Sequence, residues 1–141
     1  MNPDIIEKFK KHFECLQPVD ISHLEDFYAH SIEFKDPVRT LRGIEEVSKY
    51  NRKFNANLTR GSYKFTHQSI LHDKAYLSWE LELEFRIPRR AISVSGITVL
   101  HCIEKIVSHR NYYDAGELYY ENLPIVGPLI RQIKRQLYRY G

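Results

Sequence analysis

The spacing of apolar residues changes period partway along the chain. Ile5, Ile6, Phe9, Phe13 and Leu16 recur at steps of three and four, which predicts an amphipathic helix that ends before Pro18. Asp20 is placed to cap a second helix with Ile21, Leu24, Phe27 and Tyr28 on one stripe. A short strand, Ile32 to Lys35, is expected to stop at Asp36-Pro37, because proline supplies no ladder donor. Gly43 opens a third helix through Ile44, Val47, Tyr50 and Phe54, and Asn57 to Ser62 reads as a turn.

From Tyr63 onward the period is two. Ala75, Leu77, Trp79, Leu81, Leu83, Phe85 and Ile87 alternate with Tyr76, Ser78, Glu80, Glu82, Glu84 and Arg86, so one face of this strand is buried and the other polar. Pro88-Arg89-Arg90 turns the chain into a strand from Ile92 to Glu104. After a tight connection at Glu104-Lys105, a last strand runs to Asp114. Beyond it, Leu129, Ile130, Ile133 and Leu137 form a stripe opposite Arg131, Lys134, Arg135 and Arg139, which predicts an appended basic amphipathic helix.

Composition narrows the picture. With 141 residues, 43% of them hydrophobic, the chain is long enough for one domain with a core, expected over residues 1–122, with the appended helix over 123–141. A net charge of +3 falls short of the clustered excess that argues for nucleic acid. The two cysteines, Cys15 and Cys102, have no CxxC spacing and are both expected buried, reduced and structural. Residues 1–13 are charged and amphipathic rather than leader-like, and no apolar run approaches the roughly 20 residues that span a bilayer, so a cytoplasmic protein is expected. The seven histidines form no HExxH or His/Cys pattern, so no metal is expected.

Phe34-Lys35-Asp36-Pro37-Val38, followed by Arg42-Gly43-Ile44 and Tyr50, sets a carboxylate just before a helix. Together with the closing run Lys105 to Asp114, this segment resembles the NTF2-like superfamily, the α+β cones that include ketosteroid isomerase and the SnoaL-like polyketide cyclases. The resemblance covers roughly the first four-fifths of the chain. It implies a strongly curved antiparallel sheet with three N-terminal helices on its concave side, an apolar small-molecule partner held without a cofactor, and a homodimer. One superfold hosts enzymes, binding modules and transport factors, so the reaction does not follow from the fold.

In the ketosteroid-isomerase branch the aspartate of this Asp-Pro segment is the general base, and the resemblance places Asp36 there. The alternative is that Asp36 caps the turn before Pro37. Registered on that isomerase, the oxyanion-hole tyrosine falls on His12 and the partner acid on Thr98, which disfavours steroid-type isomerisation because an enolate needs strong donors. On the closing strand, parity gives Val107, His109, Asn111 and Tyr113 one inward side. His109 is thus a second acid/base candidate, and Asn111, Tyr113 and Thr98 are candidate orienting groups. Tyr28 and Trp79 complete the candidate ligand contacts, with core packing as the alternative for Trp79. Asp114, in an aromatic-aromatic-Asp ending like that of SnoaL-like proteins, falls by parity opposite His109.

Two functions remain open on these residues. One is a cofactor-free proton-transfer enzyme acting on an apolar or lipid-like substrate. The other is a non-catalytic ligand-binding or assembly module. For assembly, Glu80, Glu82 and Glu84 stand on the outer face, with Lys64 or Arg110 as possible partners across strands. For the appended helix, docking on the domain competes with reversible attachment to an anionic membrane surface.

Overall fold

A computed structural model describes residues 2–16, 21–56, 58–87 and 89–114. The expected cap at Asp20, the break at Pro18 and the helix over 123–141 lie outside the described residues.

Helix α1 (Pro3–Phe13) starts where Asn2 Oδ1 accepts from the Asp4 amide at 3.0 Å and proline occupies the first turn. Its buried stripe is Ile5, Ile6, Phe9 and Phe13. A short helix α2 (Ile21–Leu24) leads into strand β1 (Tyr28–Lys35). The spacing of Leu24, Phe27 and Tyr28 predicts a longer helix. The sheet overrides it, because Tyr28 pairs with Ile106 and the Ile106 amide bonds Phe27 O at 2.9 Å. Strand β2 (Thr40–Arg42) returns antiparallel to β1, and Gly43, at φ 89°, turns the chain into helix α3 (Ile44–Ala56).

Strands β3 (Leu58–Leu71), β4 (Lys74–Phe85), β5 (Arg90–Ile103) and β6 (Lys105–Tyr112) follow as an antiparallel meander. The six strands lie in the order β2-β1-β6-β5-β4-β3 and form a curved, unclosed sheet of an α+β protein. To the expected antiparallel ladders the sheet adds one parallel pair, β1 with β6. The chain leaves β1, crosses α3 and the meander, and comes back beside β1 in the same direction. No local pattern announces such a pairing.

The alternation read along β4 holds from Ala75 to Leu83, whereas Phe85 is half-buried and Ile87, expected on the same buried face, is 76% exposed beyond the end of the strand. Ala75, Leu77, Trp79, Leu81 and Leu83 are buried, and their cross-strand partners on β5, Leu100, Thr98, Gly96, Val94 and Ile92, turn to the same concave side. Gly96 is required there, because a Cβ would stand 2.5 Å from Trp79 Cη2 and 2.7 Å from Tyr112 O. The opposite face carries Tyr76, Ile97 and Tyr112, exposed to 38, 48 and 46%. Cys15, expected buried, is exposed, and Cys102 is buried. Among the described residues, no helix is long and apolar enough to cross a membrane.

Candidate functional site

A chamber opens between the concave face of the sheet and helices α1 and α3. Its walls are His12, Phe13 and Leu16 from α1 and the turn after it, Val47, Tyr50, Asn51, Phe54 and Asn55 from α3, and inward residues of β1, β3, β4 and β6 with their flanks. The register explains the sheet contribution. Phe34 pairs with His109, which pairs with Leu100, while Asn111 pairs with Thr98, so these side chains form two inward rows. A shift in pairing between His101 and Cys102 places a bulge at Val107. Ile106 therefore points into the core and Val107 is only half-buried, whereas His109 and Asn111 keep the inward side that parity predicts.

Five of the candidate residues line this chamber: Tyr28, Asp36, His109, Asn111 and Tyr113. Trp79 and Thr98 do not line it. They lie behind its wall and act through hydrogen bonds. Asp114 is exposed, beyond the inward-facing Tyr113. The α3 contribution of Tyr50-Asn51 and Phe54-Asn55 was not anticipated as a site, although an aromatic-amide pair repeated at a spacing of four is a readable signal for one helix face.

The buried polar chain has a single consistent direction. An indole N–H only donates, so Thr98 Oγ1 accepts from Trp79 Nε1 at 2.7 Å and donates onward to Asn111 Oδ1 at 2.5 Å. An amide oxygen only accepts, so His109 Nε2, 2.9 Å from the same Oδ1, carries the ring hydrogen. His109 Nδ1 is then an acceptor, and the Tyr28 hydroxyl donates to it at 2.6 Å. Burial drives the His109 pKa down to about 4 against a weaker opposing effect of its bond to Asn111, so the imidazole is neutral near pH 7. Burial likewise raises Tyr28 well above the ordinary phenol range, with Tyr63 adding to it. Both ring nitrogens of His109 are thus engaged inside the wall. The group this network leaves for the chamber is the Asn111 amide Nδ2, a donor, since its Oδ1 accepts twice.

Asp36 is anchored differently. Its side chain is 1% exposed. Oδ1 accepts the Val38 and Arg39 amides, each at 2.9 Å, which is the turn-capping geometry of an Asp-Pro segment. Oδ2 accepts the Tyr113 hydroxyl at 3.1 Å and stands 3.6 Å from Arg39 Nε. The Arg39 guanidinium in turn lies over the Tyr50 ring, 4.3 Å from its centroid. The His12 imidazole has its pKa held below the ordinary value by burial and by the nearby His23.

The free volume of the chamber is about 50 Å³. A buried water needs on the order of 10–15 Å³, so the chamber has room for a small guest. Among the described residues, no three His, Cys, Asp or Glu side chains cluster.

The model of the SnoaL-like domain matches residues 9–109, the stretch that runs from α1 to His109. The chain belongs to the SnoaL-like family. Its structure is also close to solved NTF2-like structures of low sequence identity. A hypothetical protein from Catenulispora acidiphila with a ketosteroid isomerase-like fold, in complex with trimethylamine, has a TM-score of 0.71 at 17% identity, over 83% of this chain and 90% of that one. An NTF2-like protein of unknown function from Burkholderia pseudomallei has a TM-score of 0.73 at 12% identity, over 84% and 95% of the two chains. TerC, co-crystallised with polyporic acid, has a TM-score of 0.68 at 11% identity, over 79% and 90%. At these identities the likeness is one of fold. No curated protein matches the chain. The SnoaL-like match ends at His109, just before Asn111 and Tyr113 complete the chamber.

Proposed function

We propose that this SnoaL-like protein binds a small, mostly apolar molecule in the chamber, with Asp36 Oδ2, the Asn111 amide and the Tyr113 hydroxyl as its polar contacts. The observation that carries this reading is the engagement of both His109 nitrogens in the Tyr28–His109–Asn111–Thr98–Trp79 chain, which makes the imidazole part of a rigid wall rather than a proton carrier. A wall fixed in this way holds the Asn111 donor in one orientation, which favours selective binding. The fold itself prescribes no ligand, since one structure of this shape is a complex with trimethylamine and another was co-crystallised with polyporic acid. In this chain the free space between the side chains is about 50 Å³, which favours a small guest.

Proton transfer by Asp36 is the second reading, favoured by the contact of Asp36 Oδ2 with the Tyr113 hydroxyl at the chamber wall. In that case Asp36 acts as the base without His109, cofactor or metal. The reading also extends to assembly: Tyr76, Ile97 and Tyr112 on the convex face bury against a second copy to give a homodimer.

Native mass spectrometry of protein purified gently from its own host tests the binding reading. A bound molecule of low mass, absent from the Asp36→Asn variant, is the expected result. Protein that is consistently empty, together with full occupancy by no small molecule from a host extract, removes the proposal.

A further inference from the structure

We propose that the chamber is a site for a small alkylammonium ion, a cation of trimethylammonium size, held by the Asp36 carboxylate against aromatic faces. This rests on the ligand-binding reading above and adds the charge of the ligand.

The first support is the charge inventory of the lining. Among the described lining residues, Asp36 is the one acidic residue, and there is no lysine or arginine. The two lining histidines, His12 and His109, are both shifted toward the neutral form, chiefly by burial. Much of the remaining wall is aromatic: Phe13, Phe34, Tyr50, Phe54, Tyr63 and Tyr113. Ring faces present the negative part of a quadrupole, so a cation inside the chamber is attracted by the rings and by the carboxylate together. An anion meets repulsion from both, and a neutral molecule of the same shape gains only burial.

The second support is that the protein already places a cation on these groups. The Arg39 guanidinium lies 4.3 Å from the Tyr50 centroid, with Nε 3.6 Å from Asp36 Oδ2. One carboxylate oxygen and one tyrosine ring thus hold a resident cation at the edge of the chamber. An entering ammonium uses the same carboxylate and the same ring, so it competes with Arg39. Removing Arg39 therefore strengthens cation binding, and removing the Asp36 charge or the Tyr50 ring weakens it. A merely structural Arg39 predicts the opposite or no change.

Isothermal titration of the full chain with trimethylammonium chloride, neutral tert-butanol and the anion trimethylacetate tests the inference. Trimethylammonium is expected to bind at least about tenfold more tightly than tert-butanol, and trimethylacetate not at all. Asp36→Asn and Tyr50→Leu are each expected to weaken trimethylammonium by about tenfold, and Arg39→Gln to tighten it by a few-fold. Thermal melts establish that each variant is folded, and if Asp36→Asn is not, Tyr50→Leu and Arg39→Gln carry the test. Equal or tighter binding of tert-butanol or trimethylacetate overturns the cation inference and leaves the binding reading standing. Weakening by Arg39→Gln overturns the competition. Absence of saturable binding by all three probes overturns the cation inference, while a neutral or anionic molecule recovered from the host preserves the binding reading.

Discussion

Burial of His109 makes a direct prediction about stability. The imidazole is 3% exposed and has a pKa of about 4, against 6.5 for an unburied histidine. The folded value is the lower one, so between these two pH values the unfolded chain takes up a proton that the native state refuses. His109 therefore leaves stability intact above pH 6.5 and removes it progressively as pH falls toward about 4. The gap between 6.5 and about 4, at about 1.4 kcal/mol per pH unit, amounts to about 3 kcal/mol. That is a sizeable share of the total stability of a small domain, roughly 5–15 kcal/mol. The measurement is urea unfolding from pH 7.5 to pH 4 of the wild type and of His109→Gln, which keeps a donor and an acceptor but does not titrate. His12, whose pKa is also lowered, and Asp73, held low by its bond to His101, add slopes of their own in both proteins. The difference between the two curves isolates His109. The wild type is expected to lose about 3 kcal/mol more than the variant over this window. Parallel curves refute the buried, neutral imidazole and with it the hydrogen-bond direction assigned to the wall.

Other outcomes follow from the same geometry. Thr98→Val leaves the Trp79 N–H without its acceptor and one of two donors to Asn111 missing, so it is expected to cost about 1–3 kcal/mol in chemical unfolding. Gly96→Ala forces a methyl against the Trp79 ring and the Tyr112 carbonyl and is expected to cost about 1–3 kcal/mol, read as a lowered Tm. Ile97→Lys places a charge at the centre of the Tyr76, Ile97 and Tyr112 patch and is expected to convert a dimer to a monomer in sedimentation at micromolar concentration; a wild type that is already monomeric there refutes the assembly reading.

How much of this was legible in the sequence depends on whether a signal is local. The alternation from Ala75 to Phe85 is a property of one strand, and it gave β4, its buried face and, by pairing, the inward row of β5. The inward placement of His109, Asn111 and Tyr113 also followed from parity, because the bulge at Val107 precedes all three and changes the phase only behind them. The start of β1 was not legible. Tyr28 follows Leu24 at helical spacing, and only its partner Ile106, distant in sequence, draws it into the sheet. The same limit applies to the site. Asp36 was legible as a turn cap or a chamber carboxylate, and its two oxygens divide between these roles, Oδ1 on backbone amides and Oδ2 on Tyr113. Trp79 and Thr98 share the inward face with chamber residues, yet the depth of the wall, which no sequence period encodes, sets them behind it.

The central claim is that Asp36, Asn111 and Tyr113 present polar groups to one chamber that admits a small molecule, and the side-chain amide of Asn111 reports on it most directly. The measurement is a set of ¹H–¹⁵N correlation spectra recorded while trimethylammonium, tert-butanol and acetone are titrated into the protein. At least one probe is expected to shift the Asn111 side-chain amide pair and the Asp36 backbone amide saturably, with Ile97 and Tyr112 on the convex face unmoved. Spectra in which no probe moves Asn111 or Asp36, or in which the shifts gather on the convex face, contradict the account.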